Sequence, residues 1–331
     1  MGAGHKTLRT TSLAGTKTSE AGTTRSAGEG VPFWERFRAW WDGYEVTAGT
    51  KAQPTAMPTH SVRYEGPNYH WETARLKLAQ EVWGEGFSSP GGVDHILNMV
   101  KFFALDPSMS VLDIGAGLGG ATRAMCDKFG VWVSGLEADE ALAEAGMALS
   151  TMAGLAKRAP ITPFDPGSFE YKAKSIDCVF SKEFLFTVQD KPAFLKTVEM
   201  LLKPRGQILF TDYVLAKPHG VSREVQMWAD KEPSPAYPWS VEDYRQAFSD
   251  LHIDIRVIDD NTEEFHKMVT QAWARYIVRL QQRGVDAESA PALVDEVELW
   301  TRRMMAVESG DIKICRIHAL KKDTDRLMSS W

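Results

Sequence analysis

The stretch Val111-Leu112-Asp113-Ile114-Gly115-Ala116-Gly117-Leu118-Gly119-Gly120 decides the fold. Its first four residues read as a short apolar strand. The glycines then turn the chain into a helix that begins near Leu118. Glycine reaches positive φ without a steric penalty and lets a ligand approach the backbone closely. The first turn of a helix also carries N–H groups without intrahelical partners, which suit a carboxylate or a pyrophosphate. Outward from this turn, apolar runs and helical periodicities alternate. The pattern predicts strands at 110–114, 131–136, 160–164, 176–181 and 206–213, with helices at 118–129, 138–154 and 190–202. Such a βαβ rhythm implies a mainly parallel sheet with helices on both faces. Beyond it the reading continues with a helix from Tyr237 to Phe248, a strand at 252–258, long helices at 261–283 and 289–307, and a last strand at 311–319.

Glu137 ends the second strand, beside Ala138, where a carboxylate can accept both hydroxyls of a ribose. Gly115, Gly117 and Gly120 also satisfy G-x-G-x-x-G, which brings nicotinamide and flavin enzymes into consideration. Three features favour a methionine-derived nucleoside instead. Asp113 stands two residues before the first glycine, where an acid repels a pyrophosphate but can hold an ammonium group. Asp165, in Pro163-Phe164-Asp165-Pro166, follows the third strand, where a carboxylate can accept an adenine amino group with Phe164 beside the ring. The glycine strand also comes after about 110 residues rather than at the chain start. A turn serving structure alone leaves Asp113, Glu137 and Asp165 without a reason.

Composition narrows the class. Of 331 residues, 44% are hydrophobic and 25% charged, the balance of a soluble globular protein. A net charge of −6 supplies no basic field for nucleic acid. No apolar run approaches the roughly 20 residues of a membrane span. The N-terminus lacks a signal core. Cys126, Cys178 and Cys315 have no metal spacing and read as reduced thiols of a cytoplasmic protein. Residues 1–30 are rich in Gly, Ser, Thr and Ala and are expected to be a disordered tail. Phe33, Trp34, Phe37, Trp40 and Trp41 share one helical face, expected to pack on the main domain or across a homodimer interface. Residues 45–68 read as a linker. The domain reading is a tail at 1–30, a helical lid region at 31–105, a cofactor-binding core at 106–215, and a C-terminal part at 216–322 that completes the sheet and the acceptor pocket.

Over about 70–320 the chain resembles the class I S-adenosylmethionine-dependent methyltransferases, through the glycine turn and its three acids. It also resembles the phosphoethanolamine methyltransferases, through Trp83-Gly84-Glu85-Gly86-Phe87-Ser88-Ser89-Pro90-Gly91-Gly92, Leu209-Phe210-Thr211-Asp212-Tyr213, Asp259-Asp260-Asn261-Thr262-Glu263-Glu264-Phe265 and Leu299-Trp300-Thr301-Arg302-Arg303. The resemblance implies an α/β, Rossmann-like, seven-stranded and mostly parallel sheet with its last strand antiparallel, an N-terminal helical lid and a C-terminal helical insertion. It implies S-adenosylmethionine as cofactor, S-adenosylhomocysteine as product and no metal. Ser88 and Ser89 would lie on the lid near the methionine part. In that family a tyrosine before the lid and a histidine after the fourth strand form a catalytic pair; the matching positions here are Trp71 and Thr187, and the nearby acid becomes Glu183. A phosphate-binding cation falls near Arg303, and two substrate tyrosines fall near Tyr213 and Tyr237.

The lost pair bears on the chemistry. A protonated amine must shed a proton before it attacks, which calls for a base. A thioether sulfur keeps its lone pair at any pH. The reading is therefore S-methylation of a thioether acid of the methylthiohydroxybutyrate type, a step of dimethylsulfoniopropionate synthesis. In this reading Trp71, Trp83 and Phe87 face the sulfonium product, and Arg302 or Arg303 with Tyr213 holds the carboxylate. Lys182, at the end of a sheet strand, is a further candidate at the ligand edge. One alternative is N-methylation of phosphoethanolamine or another small amine, with the base relocated to His219, His252 or His266. Another is a non-catalytic binding module on the same fold.

Overall fold

The computed structural model describes residue 71, residues 73–217 and residues 222–323. The expected tail, aromatic helix and linker, and His219, lie outside the described residues. The elements in chain order are α1 (Thr73–Trp83), α2 (Gly92–Met99), β1 (Ser110–Ile114), α3 (Gly120–Phe129), β2 (Trp132–Glu137), α4 (Glu140–Met152), β3 (Ile161–Pro163), β4 (Ile176–Lys182), α5 (Lys191–Leu201), β5 (Leu202–Leu215), α6 (Arg223–Ala229), α7 (Val241–Asp250), β6 (Ile253–Asp260), α8 (Thr262–Arg283), α9 (Ala290–Glu308) and β7 (Ile312–Lys321). The strands form one seven-stranded sheet in the order β3-β2-β1-β4-β5-β7-β6. All pairings are parallel except those of β7 with β5 and β6. This is the architecture expected, with α8 and α9 inserted before the last strand.

Local chemistry sets most boundaries. Residues Val111 to Ile114 are all buried, as a strand covered on both faces must be. Their side chains alternate between the two layers. Leu112 and Ile114 pack with Phe194, Leu195 and Val198 of α5, whereas Val111 packs with Ile96, Met99 and Met125 of α2 and α3. Helix α4 opens on Asp139, whose Oδ1 accepts from the Leu142 N–H at 3.0 Å. The helix expected from Tyr237 begins instead at Val241. Ser240 and Asp243 form a capping box there, while the Tyr237 N–H is spent on the Phe186 carbonyl. Helix α6, capped by Ser222, is too short for periodicity to reveal.

The C-terminal helices seal one end of the sheet. Trp273, Tyr276, Val297 and Trp300 are buried. Trp83 at the end of α1 lies 4.4 Å from Trp300 and 6.2 Å from Trp273, centroid to centroid. Each such side chain contributes on the order of 2 kcal/mol by leaving water. A buried ion pair, Arg75 with Glu296, ties α1 to α9 at the same place. Strand order reverses between β1 and β4, and ligands of open α/β sheets bind at the strand C-termini beside such a switch.

Candidate active site

A cavity of about 560 Å³ opens at this switch. Its floor is the glycine turn. The Gly115 and Ala116 N–H groups both donate to the Leu136 carbonyl, at 2.8 and 2.9 Å. The Gly117 N–H donates to Glu137 Oε2 at 2.7 Å, and the Asp139 N–H to Glu137 Oε1 at 2.9 Å. The turn therefore spends these donors inside the protein and offers its ligand a close, side-chain-free surface. A Cβ on Gly115, at φ 76°, would stand 2.4 Å from Phe184, and one on Gly117, at φ 56°, 2.6 Å from Ser88 Oγ. Glu137 lines the cavity with lone pairs to spare, since a carboxylate accepts about four hydrogen bonds. Burial pushes its carboxyl up from the ordinary value, against the pull of the two N–H donors. A cradle without side chains beside a carboxylate that can accept a diol fits a nucleoside-bearing cofactor.

The lid turn supplies Ser88 and Ser89, and the Lys182 ammonium donates to Ser89 Oγ at 3.1 Å. Lys182 also pairs with Glu183, the next residue. Glu183 sits at φ 47°, a left-handed conformation that costs a non-glycine residue on the order of 1–3 kcal/mol. It is held there by its own N–H on the Thr211 carbonyl at 2.7 Å and by the Thr211 hydroxyl, which donates to Glu183 Oε1 at 3.0 Å. Thr187 ends a 3₁₀ turn and gives its hydroxyl proton to the Phe184 carbonyl at 2.8 Å. Trp71, Phe186, Tyr213, Trp300 and Arg303 complete the far half, with Arg75, Glu232 and Glu296.

The cavity thus brings together Trp71, Ser88, Ser89, Gly115, Gly117, Glu137, Ala138, Lys182, Glu183, Thr187, Tyr213 and Arg303. Other expected site residues fall outside this lining. Asp113 is 1% exposed, does not line the cavity and accepts from the Thr122 hydroxyl at 2.6 Å. It stands behind the turn and ties β1 to α3. Burial pushes its carboxyl up to about 7, partly offset by the Thr122 hydrogen bond. Phe164 and Asp165 also lie outside the lining. Asp165 is exposed and accepts from the Gly167 N–H at 2.9 Å and the Ser168 hydroxyl at 2.8 Å, which lower its pKa. Phe164 packs 5.8 Å from Phe184, which does line the cavity.

Arg302 points to the neighbouring helix face, toward Met227 and Glu298, because adjacent helical residues diverge by about 100°. Tyr237 contributes backbone only, its carbonyl accepting from Lys191. Trp83 and Phe87 do not face the cavity; Trp71, Phe184, Phe186, Tyr213 and Trp300 are its aromatic walls. Of the candidate histidine bases, His252 and His266 lie elsewhere, and His266 is engaged by Glu308 at 2.9 Å. No histidine occurs among the described residues of the lining. His95 stands behind the Lys182–Glu183 pair, its pKa lowered by burial and by Lys182.

Sequence reasoning missed several functional positions. Arg75 and Glu296 are 221 residues apart, and no pattern links them. Glu232 lies in an irregular segment, where it takes both Nε and Nη2 of Arg303 at 2.7 Å. Asp212 was visible as an acid inside an apolar strand. Buried and pushed up to about 7 by that burial, it accepts from the Phe186 N–H at 3.0 Å and the Tyr244 hydroxyl at 2.7 Å. It thereby positions the turn that carries Thr187. No group of metal-ligating side chains is found among the described residues, and none of their helices is long and apolar enough to cross a membrane.

Comparison with known proteins agrees with this geometry. Residues 94–251 match a protein family described as a methyltransferase domain. Phosphoethanolamine N-methyltransferase 3 of Arabidopsis thaliana is 26% identical over 246 residues, which are 74% of this chain and 49% of the relative. Phosphoethanolamine N-methyltransferase 2 of Caenorhabditis elegans is 34% identical over 162 residues, 48% of this chain and 37% of the relative. The chain therefore spans about half, or less, of the length of these relatives. A solved structure of Haemonchus contortus phosphoethanolamine N-methyltransferase 2, in complex with phosphomonomethylethanolamine and S-adenosylhomocysteine, superposes with a TM-score of 0.66 at 20% identity, covering 76% of this chain and 58% of that one. Fold, cavity and sequence match define the class: the chain carries an S-adenosylmethionine-dependent methyltransferase domain of class I. Within that class it resembles the phosphoethanolamine N-methyltransferases. These names stand with the amine alternative rather than with the thioether reading.

Proposed function

We propose that this protein transfers a methyl group from S-adenosylmethionine to the nitrogen of a small amine. One observation carries the reading: a single cavity joins the Glu137 and glycine-turn end to a far half lined by Glu183, Glu232 and Glu296. Each of these far-half carboxylates is paired with a cation of the same lining, and their remaining lone pairs can accept the N–H bonds of an ammonium group. When bound, the cofactor supplies an electrophilic sulfonium methyl for in-line displacement. Glu137 and the glycine turn hold the nucleoside end. Ser88 and Ser89 line the lid side of the cavity, and Lys182 holds Ser89. Trp71, Phe186 and Trp300 wall the acceptor, so that alignment supplies much of the rate. The amine sheds a proton before its lone pair attacks, and this reading gives that proton to Glu183, supported by its position in the lining and its bond from Thr211.

A second reading, S-methylation of a thioether acid, is favoured by one feature. The positions expected to hold a proton-handling pair carry Trp71 and Thr187, and the Thr187 hydroxyl is committed to the Phe184 carbonyl. Parallel incubations with S-adenosylmethionine and either a panel of small amines, phosphate-bearing (phosphoethanolamine) and carboxylate-bearing (glycine), or methylthiohydroxybutyrate decide between them. Mass-spectrometric detection of methylated amine supports the first reading. Turnover of the thioether alone replaces it with the second.

A further inference from the structure

The far half of the cavity is balanced in charge. Three cations line it among the described residues: Arg75, Lys182 and Arg303. Each is already matched by a carboxylate of the same lining, Arg75 by Glu296, Lys182 by Glu183 and Arg303 by Glu232. The third pair is the one that bears on specificity. Arg303 meets Glu232 in a two-pronged contact, Nε to Oε1 and Nη2 to Oε2, both at 2.7 Å. Their side chains are 14% and 2% exposed. The guanidinium lies over the Trp300 ring, 4.6 Å from its centroid. Glu232 cannot simply swing aside, because the Trp228 indole N–H donates to its Oε1 and its backbone N–H bonds back to Trp228.

An arginine free in a cavity is a ready phosphate site, since its planar fork matches two oxygens of the anion. Here one fork is occupied and the charge is cancelled. A phosphate monoester brings two negative charges, one net where the same acceptor carries an ammonium, into a site whose lining cations are all matched. Burying an unmatched charge is expensive. A carboxylate brings one charge, and an acceptor that carries an ammonium beside its carboxylate brings no net charge.

We infer that the anionic end of the acceptor is a carboxylate rather than a phosphate, and that Glu232, by masking Arg303, is the residue that makes this selection. The inference rests on the reading of the cavity as a methyl-acceptor site, but it holds for an amine or a thioether. It also separates this chain from relatives whose names describe a phosphate-bearing acceptor.

The test is a calorimetric titration of the full chain, with S-adenosylhomocysteine present, against inorganic phosphate and, separately, acetate. The wild type is expected to bind phosphate no more tightly than about 10 mM. Glu232→Gln keeps the shape but releases Arg303, and phosphate binding should tighten by about tenfold or more. Adding Arg303→Met to that variant should abolish the gain, while acetate binding changes far less than phosphate binding in Glu232→Gln. Equal phosphate affinity in wild type and Glu232→Gln overturns the inference. So does a wild-type dissociation constant for phosphate below about 1 mM, a measurement that needs no variant to fold. Thermal stabilisation by S-adenosylhomocysteine reports separately on the cofactor half. A chain that shows the phosphate switch without that stabilisation keeps the anion selection by Glu232 but overturns the methyltransferase reading, and with it the identification of the selected anion as a methyl acceptor.

Discussion

At the scale of single residues, the cofactor half of the cavity depends on Glu137. It is the lining carboxylate fixed by two backbone N–H groups, and a charge-assisted hydrogen bond is worth about 1.5–3 kcal/mol. Glu137→Ala should therefore raise the dissociation constant of S-adenosylhomocysteine by roughly 10- to 100-fold, as read by calorimetry. An unchanged constant removes Glu137 from the site. Glu183 tests the other half. It is the base of the proposed amine reading, held by a left-handed backbone and by its bond from Thr211. With an amine acceptor, Glu183→Gln should lower kcat by about 10²- to 10⁴-fold, with partial recovery as pH rises and the free amine fraction grows. With a thioether acceptor the same variant should lack that pH-dependent recovery. The two pH profiles thus separate the two chemistries on one mutant.

At the scale of elements, the cavity wall depends on helices far apart in the chain being brought together. Arg75 on α1 and Glu296 on α9 form a pair with side chains only 5% exposed. Glu296 also accepts from the Trp300 indole at 3.1 Å, which fixes a ring of the acceptor wall. Removing Glu296 takes from buried Arg75 the carboxylate of this pair. Glu296→Ala should cost about 3–5 kcal/mol of stability in urea unfolding. Replacing both residues by leucine and methionine should recover most of that loss, because apolar side chains of similar volume pay no charge desolvation. If the single variant is as stable as wild type, the helix docking rests on Trp83, Trp273 and Trp300 alone.

At the scale of the whole molecule, two equilibria report on the site. A ligand that binds only the native state stabilises it, by about 2.7 kcal/mol at 100 times its dissociation constant. Millimolar S-adenosylhomocysteine should therefore raise the thermal midpoint by several degrees. No shift would favour a non-catalytic module with an altered cofactor half. The second equilibrium is protonation. Asp113 has a folded-state pKa of about 7 against an ordinary 3.8, because burial withdraws it from water and the Thr122 hydrogen bond offsets only part of that. A raised carboxyl pKa means that the fold prefers the protonated form. The stability that goes with it is complete below 3.8 and is lost as pH rises through about 7. Asp113→Asn should flatten this dependence, so the stability gap between variant and wild type should widen from pH 5 to pH 8 in denaturant titrations.

The sequence by itself determined the alternation of strands and helices, the glycine turn and the position of Glu137. All three follow from short-range rules: side-chain periodicity, the conformational freedom of glycine, and the connection of one strand to the next. It also placed Lys182 and Glu183 at the ligand edge, because strand ends face the switch of an open sheet, and the family resemblance added Thr187. Tertiary structure decided which side chains reach the cavity and what charge they bring. It moved Asp113 behind the turn, left Asp165 exposed outside the lining, and turned Arg302 away while Arg303 stayed. Above all, it set Glu232 against Arg303, 71 residues away in the chain, and Glu296 against Arg75, 221 residues away. Whether a cation is free to hold an anion depends on distances of a few ångströms between segments that no local pattern connects. Burial then raises the value of each such distance, because in a site with little water an unmatched charge has no other partner.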